Sequence, residues 1–141
     1  MIELFKHKKS WQGTIFYGKS YGKFLNETLE FDFEIKKIEE NYFEAISKDI
    51  SGFGVNPTEA FIRGEINSNK ISFVKKYRND LMFDENEEFY LSEKESFPII
   101  YKGLYDENSQ TFEGDWKMKA KIYLLGIIPI PYNLKGTWKM H

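Results

Sequence analysis

Lys75 is the side chain whose place in the sequence points most directly to chemistry. The segment 71–77 is predicted to lie in the second strand of a β-hairpin. Alternation puts Lys75 on the same face as Ile71, Phe73 and Tyr77. If that face is turned inward, an ammonium group is buried and needs a carboxylate, a tyrosine or a ligand as its partner.

Three roles for Lys75 remain open at this point. An inward lysine is an anchor for an anionic headgroup of a ligand. Alternatively, it lies at the rim of a closed sheet and reaches water, or it forms an internal salt bridge. Asp49 and Asp115 are the candidate carboxylates for that bridge, although Asp115 is expected to point away from Trp116.

The aromatic content, 18% of the chain, allows two interpretations that do not exclude each other. Aromatic residues favour strands and bury large areas, so a β-rich core accounts for them. They also form the walls of cavities that hold a small apolar or amphipathic molecule. We predict that one set of residues lies in the interior and binds such a ligand: Trp11, Lys75, Tyr77, Tyr101 and Trp116.

Catalytic and metal chemistry finds little support in the residue types. Histidine occurs only at positions 7 and 141, near the chain ends, and cysteine is absent, so a His-centred triad or a thiol site is not expected. The acidic run at 84–88 lacks the glycine of a calcium loop, and Gly52-Phe53-Gly54 precedes no helix pattern. We therefore expect no enzyme, no metal site and no cofactor.

Strand patterns dominate the chain. Residues 29–36 alternate strictly, with a bulge expected near 36–38. Hairpins are predicted for 60–66 with 71–78 and for 101–105 with 111–118. The segment 79–96 is either a loop with a short helical turn or an extra strand around 89–91. The segment 122–135 contains prolines and is expected to resist regular pairing.

A repeated phrase predicts how the strands are arranged. Gly114-Asp115-Trp116 is echoed by Gly136-Thr137-Trp138, and glycine beside tryptophan fits a tightly coiled sheet. With about eight strands, this predicts an all-β fold: a single eight-stranded antiparallel up-and-down barrel in one domain, 1–141. Closure requires residues 136–140 to pair with residues 11–17.

The order of these motifs resembles the calycin group of barrels, which contains lipocalins, fatty-acid-binding proteins and avidins. The motifs are W-x-G at 11–13, F-x-K-x-Y at 73–77, Y-x-G at 101–103 and G-x-W at 114–116 and 136–138. They are most similar to those of small bacterial barrels with avidin- or lipocalin-like architecture. The resemblance implies a cavity for one small apolar molecule.

Two departures limit what the resemblance implies. Avidins carry a polar Asn/Ser set after the first-strand tryptophan, whereas Trp11 is followed by Gln12-Gly13-Thr14. Biotin binding is therefore not expected. Lipocalins usually have a signal peptide and a disulfide, and this chain shows neither pattern.

Charge and hydropathy limit the possible partners. The net charge is −2, and only Arg63 and Arg78 are arginines among 20 basic residues, so nucleic-acid binding is not expected. The longest apolar stretch, 122–132, is too short to span a membrane as a helix. A cytoplasmic protein is expected. A protein partner remains an alternative, through the acidic segment 79–96 or the apolar segment 127–132 acting as a contact patch rather than a plug.

Overall fold

The computed structural model describes residues 2–83, 86, 88–124 and 128–141. These residues form ten strands, one short α-helix and one 3₁₀ helix. No helix in this described part is long and apolar enough to cross a membrane. The elements are α1 (Glu3–His7), β1 (Ser10–Tyr17), a 3₁₀ helix (Lys19–Phe24), β2 (Thr28–Glu39), β3 (Tyr42–Gly52), β4 (Ala60–Asn67), β5 (Lys70–Tyr77), β6 (Leu81–Phe83), β7 (Phe89–Leu91), β8 (Ile99–Asp106), β9 (Thr111–Leu124) and β10 (Ile128–Met140).

Eight of the strands form a closed antiparallel barrel in the order β1-β10-β9-β8-β5-β4-β3-β2. Strands that follow one another in the chain are neighbours, except that β8 follows β5 around the wall. The barrel closes where β10 pairs with β1, from Tyr17 opposite Gly136 to Gly13 opposite Met140. The predicted fold class and the predicted closing pair are both confirmed.

The other two strands, β6 and β7, form a separate two-stranded sheet within the connection from β5 to β8. Of the two alternatives left open for the segment 79–96, the structure has the extra strand at residues 89–91. Both long hairpins are confirmed as well, β4 with β5 and β8 with β9. The bulge expected near residues 36–38 appears as a register shift between Ile35 and Lys37.

The repeated glycine–tryptophan phrase forms reciprocal pairs across β9 and β10. Gly136 lies opposite Trp116, and Gly114 lies opposite Trp138. A methyl group added at Gly136 would lie 2.7 Å from the indole Nε1 of Trp116 and would also meet the Phe16 carbonyl. The glycines therefore leave room for the indole rings inside a tightly coiled sheet.

The prolines of β10 correct one expectation, because residues 128–135 pair regularly with residues 117–124 of β9. Lys135 shows the reason. Its backbone N–H donates to the Ser20 hydroxyl at 3.1 Å, so the backbone groups of Lys135 point away from β9. Pro129 and Pro131 lie an even number of residues from Lys135, so their missing N–H groups fall on that same outer side, beyond the end of β1.

The two ends of the barrel differ in how they are covered. The closed end carries α1 and the turns at 40–41, 68–69 and 107–110, and Phe5 of α1 is fully buried there. The open end carries the longer connections at 18–27, 53–59 and 78–98. These connections stand around the axis of the barrel, and the cavity described next opens between them.

Candidate functional site

A cavity of about 390 Å³ lies at the open end. This volume falls at the lower end of the range of about 300–1,000 Å³ typical of small-molecule sites. Aliphatic side chains from six strands contribute, among them Ile15, Leu29 and Met118. The rest of its apolar wall is aromatic: Tyr17, Tyr21, Phe24, Phe53, Phe89 and Trp116, with Tyr77 and Tyr101.

Tyr17 contacts three other aromatic residues of the cavity wall. Its ring meets Tyr21 at 4.6 Å, Phe53 at 5.3 Å and Trp116 at 6.1 Å between ring centroids, all edge-to-face. Its hydroxyl donates a hydrogen bond to the Phe53 carbonyl at 2.8 Å. Tyr17 therefore ties the 3₁₀ helix and the 53–59 connection to β1, and burial raises the pKa of its hydroxyl.

Behind the cavity lies a buried polar cluster centred on Asp49. The Tyr77 hydroxyl donates to the Asp49 carboxylate at 2.8 Å, and the Asn56 backbone N–H donates to it at 2.9 Å. The Lys75 Nζ lies 3.8 Å from Asp49 Oδ1, and the two side chains are 2% and 1% exposed. Lys75 and Asp49 form the internal salt bridge that the sequence left as an alternative, whereas Asp115 is exposed.

Aromatic rings surround the remaining sides of the Lys75 ammonium. Its Nζ lies 4.8 Å from the ring centroid of Tyr77, 5.1 Å from that of Phe31 and 5.8 Å from that of Tyr101. Cation–π contacts of this kind stabilise a desolvated cation. Burial nevertheless lowers the pKa of Lys75, and the nearby Asp49 carboxylate opposes that shift.

Asn56 joins this cluster to the mouth of the cavity, and sequence reasoning did not identify it. Its side-chain amide donates to the Asn79 carbonyl at 2.7 Å, and its Oδ1 accepts from the Thr58 backbone N–H at 2.9 Å. The Asn56-Pro57-Thr58 sequence is a turn signal of the Asx kind, so the turn was detectable. Its position beneath the cavity mouth depends on the tertiary fold.

The five predicted site residues do not all lie together. Tyr77, Tyr101 and Trp116 belong to the cavity wall. Lys75 lies behind that wall. Trp11 packs at the closed end, 5.6 Å from Phe5, and borders a surface depression whose other residues are largely exposed. The binding role of all five residues stays a prediction.

Several wall residues were not predicted from the sequence. Tyr17, Tyr21, Phe24 and Phe53 lie at strand ends or in connections, where alternation gives no information about direction. Phe89, which also belongs to the wall, comes from the short strand β7. Their aromatic character was the available signal, but it does not by itself distinguish a wall from a core.

The remaining sequence predictions concern metal binding, the acidic run at 84–88 and the apolar segment 127–132. Among the described residues, no group of three histidine, aspartate or glutamate side chains is arranged to hold a metal ion. Most of the acidic run at 84–88 and the side chains of 127–132 lie outside the described part, so the calcium-loop comparison and the contact-patch hypothesis are not addressed there.

The chain was also compared with known proteins. No protein-family model matches it, and no curated protein or solved structure matches it either.

Proposed function

We propose that this protein is a non-catalytic binding protein of calycin type that holds a small apolar or amphipathic molecule at the open end of its barrel. The observation that carries the proposal is the aromatic cavity of about 390 Å³ within a closed eight-stranded wall. Barrels of this strand number either fill their interior or hold one small ligand. A cytoplasmic location is part of the proposal and rests on the absence of cysteine alone.

The walls supply a driving force that does not depend on a particular polar contact. Burial of about 100 Å² of apolar ligand surface contributes roughly 2–3 kcal/mol. Edge-to-face contacts with rings such as Tyr17 and Trp116 add to this when the ligand is itself aromatic. The site therefore favours an apolar body of limited size.

Binding is tested by titrating the protein with uncharged aromatic probes and following tryptophan fluorescence, since Trp116 lies in the wall. Leu134→Trp places a large side chain in the cavity and should abolish probe binding while the fold is kept. Val74→Trp adds the same ring on the outer face of β5, where Val74 is 40% exposed, and should leave binding unchanged. Equal binding by both variants would contradict a site in this cavity.

A second function, a protein-interaction module, is favoured by one specific observation. Met82, Tyr90 and Leu91 on the β6–β7 sheet are between 39% and 50% exposed, although all three are large and apolar. Exposed apolar side chains grouped on one element often mark a contact with another protein. This function needs no cavity and is compatible with a ligand site beside it.

The two functions respond to different substitutions. Replacing Tyr90 and Leu91 together by serine should remove a protein contact and leave probe binding in the cavity intact. Leu104→Ser is the matched control, because Leu104 is 52% exposed on a different strand. A partner that is captured by the wild type and by the control but lost by the double variant would support the interaction module. Capture unaffected by the double variant would contradict it.

A further inference from the structure

The hydroxyl of Tyr101 is an unused hydrogen-bonding group in the cavity wall. Tyr101 is 1% exposed, and its ring stacks on Phe73 at 4.6 Å and meets Trp138 at 5.7 Å, so its position is fixed by packing. Burial raises the pKa of this hydroxyl, with Asp49 and the hydroxyls of Tyr17 and Tyr21 adding to the shift. Within the described part of the chain, no hydrogen bond to the Tyr101 hydroxyl is found.

Most of the other polar groups near the base of the cavity already have partners. The Asp49 carboxylate accepts from Tyr77 and from Asn56. The Ser96 hydroxyl accepts the Tyr77 backbone N–H at 2.8 Å and donates to the Phe97 carbonyl. A neutral tyrosine hydroxyl carries one proton that it can donate, so the Tyr101 hydroxyl is a donor available to a ligand in the cavity.

The charges around the cavity argue against an anionic ligand. The ammonium of Lys75 is balanced by the carboxylate of Asp49 at 3.8 Å, which leaves no net positive charge behind the wall. Asp80 belongs to the wall itself, whereas Glu95 on the same connection is paired with Lys76 at 3.6 Å. A carboxylate group that entered the cavity would pass Asp80 and end near Asp49. The cost of removing it from water would not be offset by a positive charge.

From these observations, and resting on the proposed binding function, we infer that the natural ligand is uncharged and directs one hydrogen-bond acceptor at the hydroxyl of Tyr101. A ketone, ester or amide carbonyl has the required chemistry. The apolar body of the ligand then lies between Trp116 and the rings of the cavity mouth. This places the polar end of the ligand inward and the apolar body outward.

Three probes with one skeleton separate the possibilities: 2-ethylnaphthalene, 2-acetylnaphthalene and 2-naphthoate. The wild type should bind the acetyl probe roughly three- to tenfold more tightly than the ethyl probe, which is the usual effect of one neutral hydrogen bond. Tyr101→Phe should remove that advantage and leave binding of the ethyl probe unchanged. Tyr105→Phe, at the other end of the same strand, should bind all three probes as the wild type does.

Each other outcome overturns a distinct part of the account. Tightest binding of naphthoate would contradict an uncharged ligand. Equal binding of the ethyl and acetyl probes would contradict the role of Tyr101. Failure of all three probes, including the ethyl probe, would remove the proposed binding function itself. A second measurement does not depend on the folding of Tyr101→Phe: the carbonyl stretching frequency of 2-acetylnaphthalene bound to the wild type. We expect a lower frequency than in hydrocarbon solvent. An unchanged frequency would contradict the inference.

Discussion

The closed end and the open end of the barrel are both rich in aromatic residues, yet one is filled and the other is hollow. At the closed end, Phe5 of α1 enters the axis and contacts Trp11, Phe43 and Phe112 with centroid distances of 4.9–5.7 Å. At the open end, the 3₁₀ helix places Tyr21 and Phe24 on the wall instead of across the axis. The difference lies in which connection brings a ring over the axis, not in the amount of aromatic surface.

The two ends also differ in polarity. The closed end is packed mainly by phenylalanine, which has no polar atoms to satisfy. The open end uses tyrosines and contains the pair formed by Lys75 and Asp49. Polar groups of this kind are costly in a core unless they are hydrogen-bonded, so their concentration beside the cavity favours a binding role for that end.

The largest expected effect comes from removing the ring that fills the closed end. Phe5→Ala leaves a cavity among well-packed rings and should lower the free energy of unfolding by about 3–5 kcal/mol, measured by urea denaturation. Phe89→Ala at the open end removes a ring that is 43% exposed and should cost less than about 1 kcal/mol. Similar losses in the two variants would contradict the distinction between a filled end and a hollow end.

Breaking the buried ion pair should have the next largest effect. Asp49→Asn leaves the ammonium of Lys75 without a counter-charge and should destabilise the protein by about 3 kcal/mol. Adding Lys75→Met removes that charge, so the double variant should recover much of the loss. Thermal unfolding of the wild type, the two single variants and the double variant forms a double-mutant cycle. Additive effects on stability would show that Lys75 and Asp49 are not coupled.

Glycine substitutions compare the two ends with one chemical change. Gly64→Ala places a methyl group 2.9 Å from Phe43 Cζ at the filled end, and Gly136→Ala places one 2.7 Å from Trp116 Nε1 beside the cavity. Both should destabilise by about 1–3 kcal/mol, because each methyl group also meets a backbone carbonyl, that of Ser72 for Gly64 and that of Phe16 for Gly136. Chemical denaturation measures the two losses, and a variant as stable as the wild type would contradict the close approach of the strands at that glycine.

High pH should act on the tyrosines of the open end. Burial raises the pKa of Tyr17, Tyr77 and Tyr101 above the ordinary value of 10.0, so their stabilising contribution is complete below pH 10 and is lost as the pH rises toward their folded-state pKa values. The pKa of Lys75 is lowered from 10.5, so the stability contribution of this group rises with pH. This opposes the effect of the three tyrosines, but it comes from a single group.

We therefore expect the stability to fall above pH 10, with tyrosinate absorbance appearing together with unfolding. Tyr101→Phe should reduce the slope of this loss, because it removes one of the buried hydroxyls whose pKa is raised. Tyrosinate absorbance that develops fully in the folded protein would show that these hydroxyls are accessible.

The barrel could be predicted from the sequence because its signals are local. Strict alternation in β2 indicates which side chains face the core. The glycine–tryptophan phrase in β9 and β10 indicates where the two strands leave room for an indole ring. The pairing of Pro129 and Pro131 could not be predicted, because it depends on where β1 ends beside β10. Once that edge is known, proline on the outer side follows from its missing N–H.

The site was only partly predictable for a related reason. Lys75 and Asp49 belong to strands, and alternation made Asp49 one of two candidate partners of Lys75, the other being Asp115. Trp11 and Trp116 are both inward on strands, and alternation does not tell which one lies at the filled end. The rings of Tyr21 and Phe53 come from connections, and their direction is set only by the folded barrel.

The most direct test is to locate a bound probe among the methyl groups of the interior by NMR. With 2-acetylnaphthalene bound, we expect intermolecular contacts with Ile15, Ile99 and Met118, which line the open-end cavity. No contacts are expected with Ile66 or Met140, which are buried at the filled end. Contacts at Ile66 or Met140, or contacts confined to the outer surface of the barrel, would contradict the account.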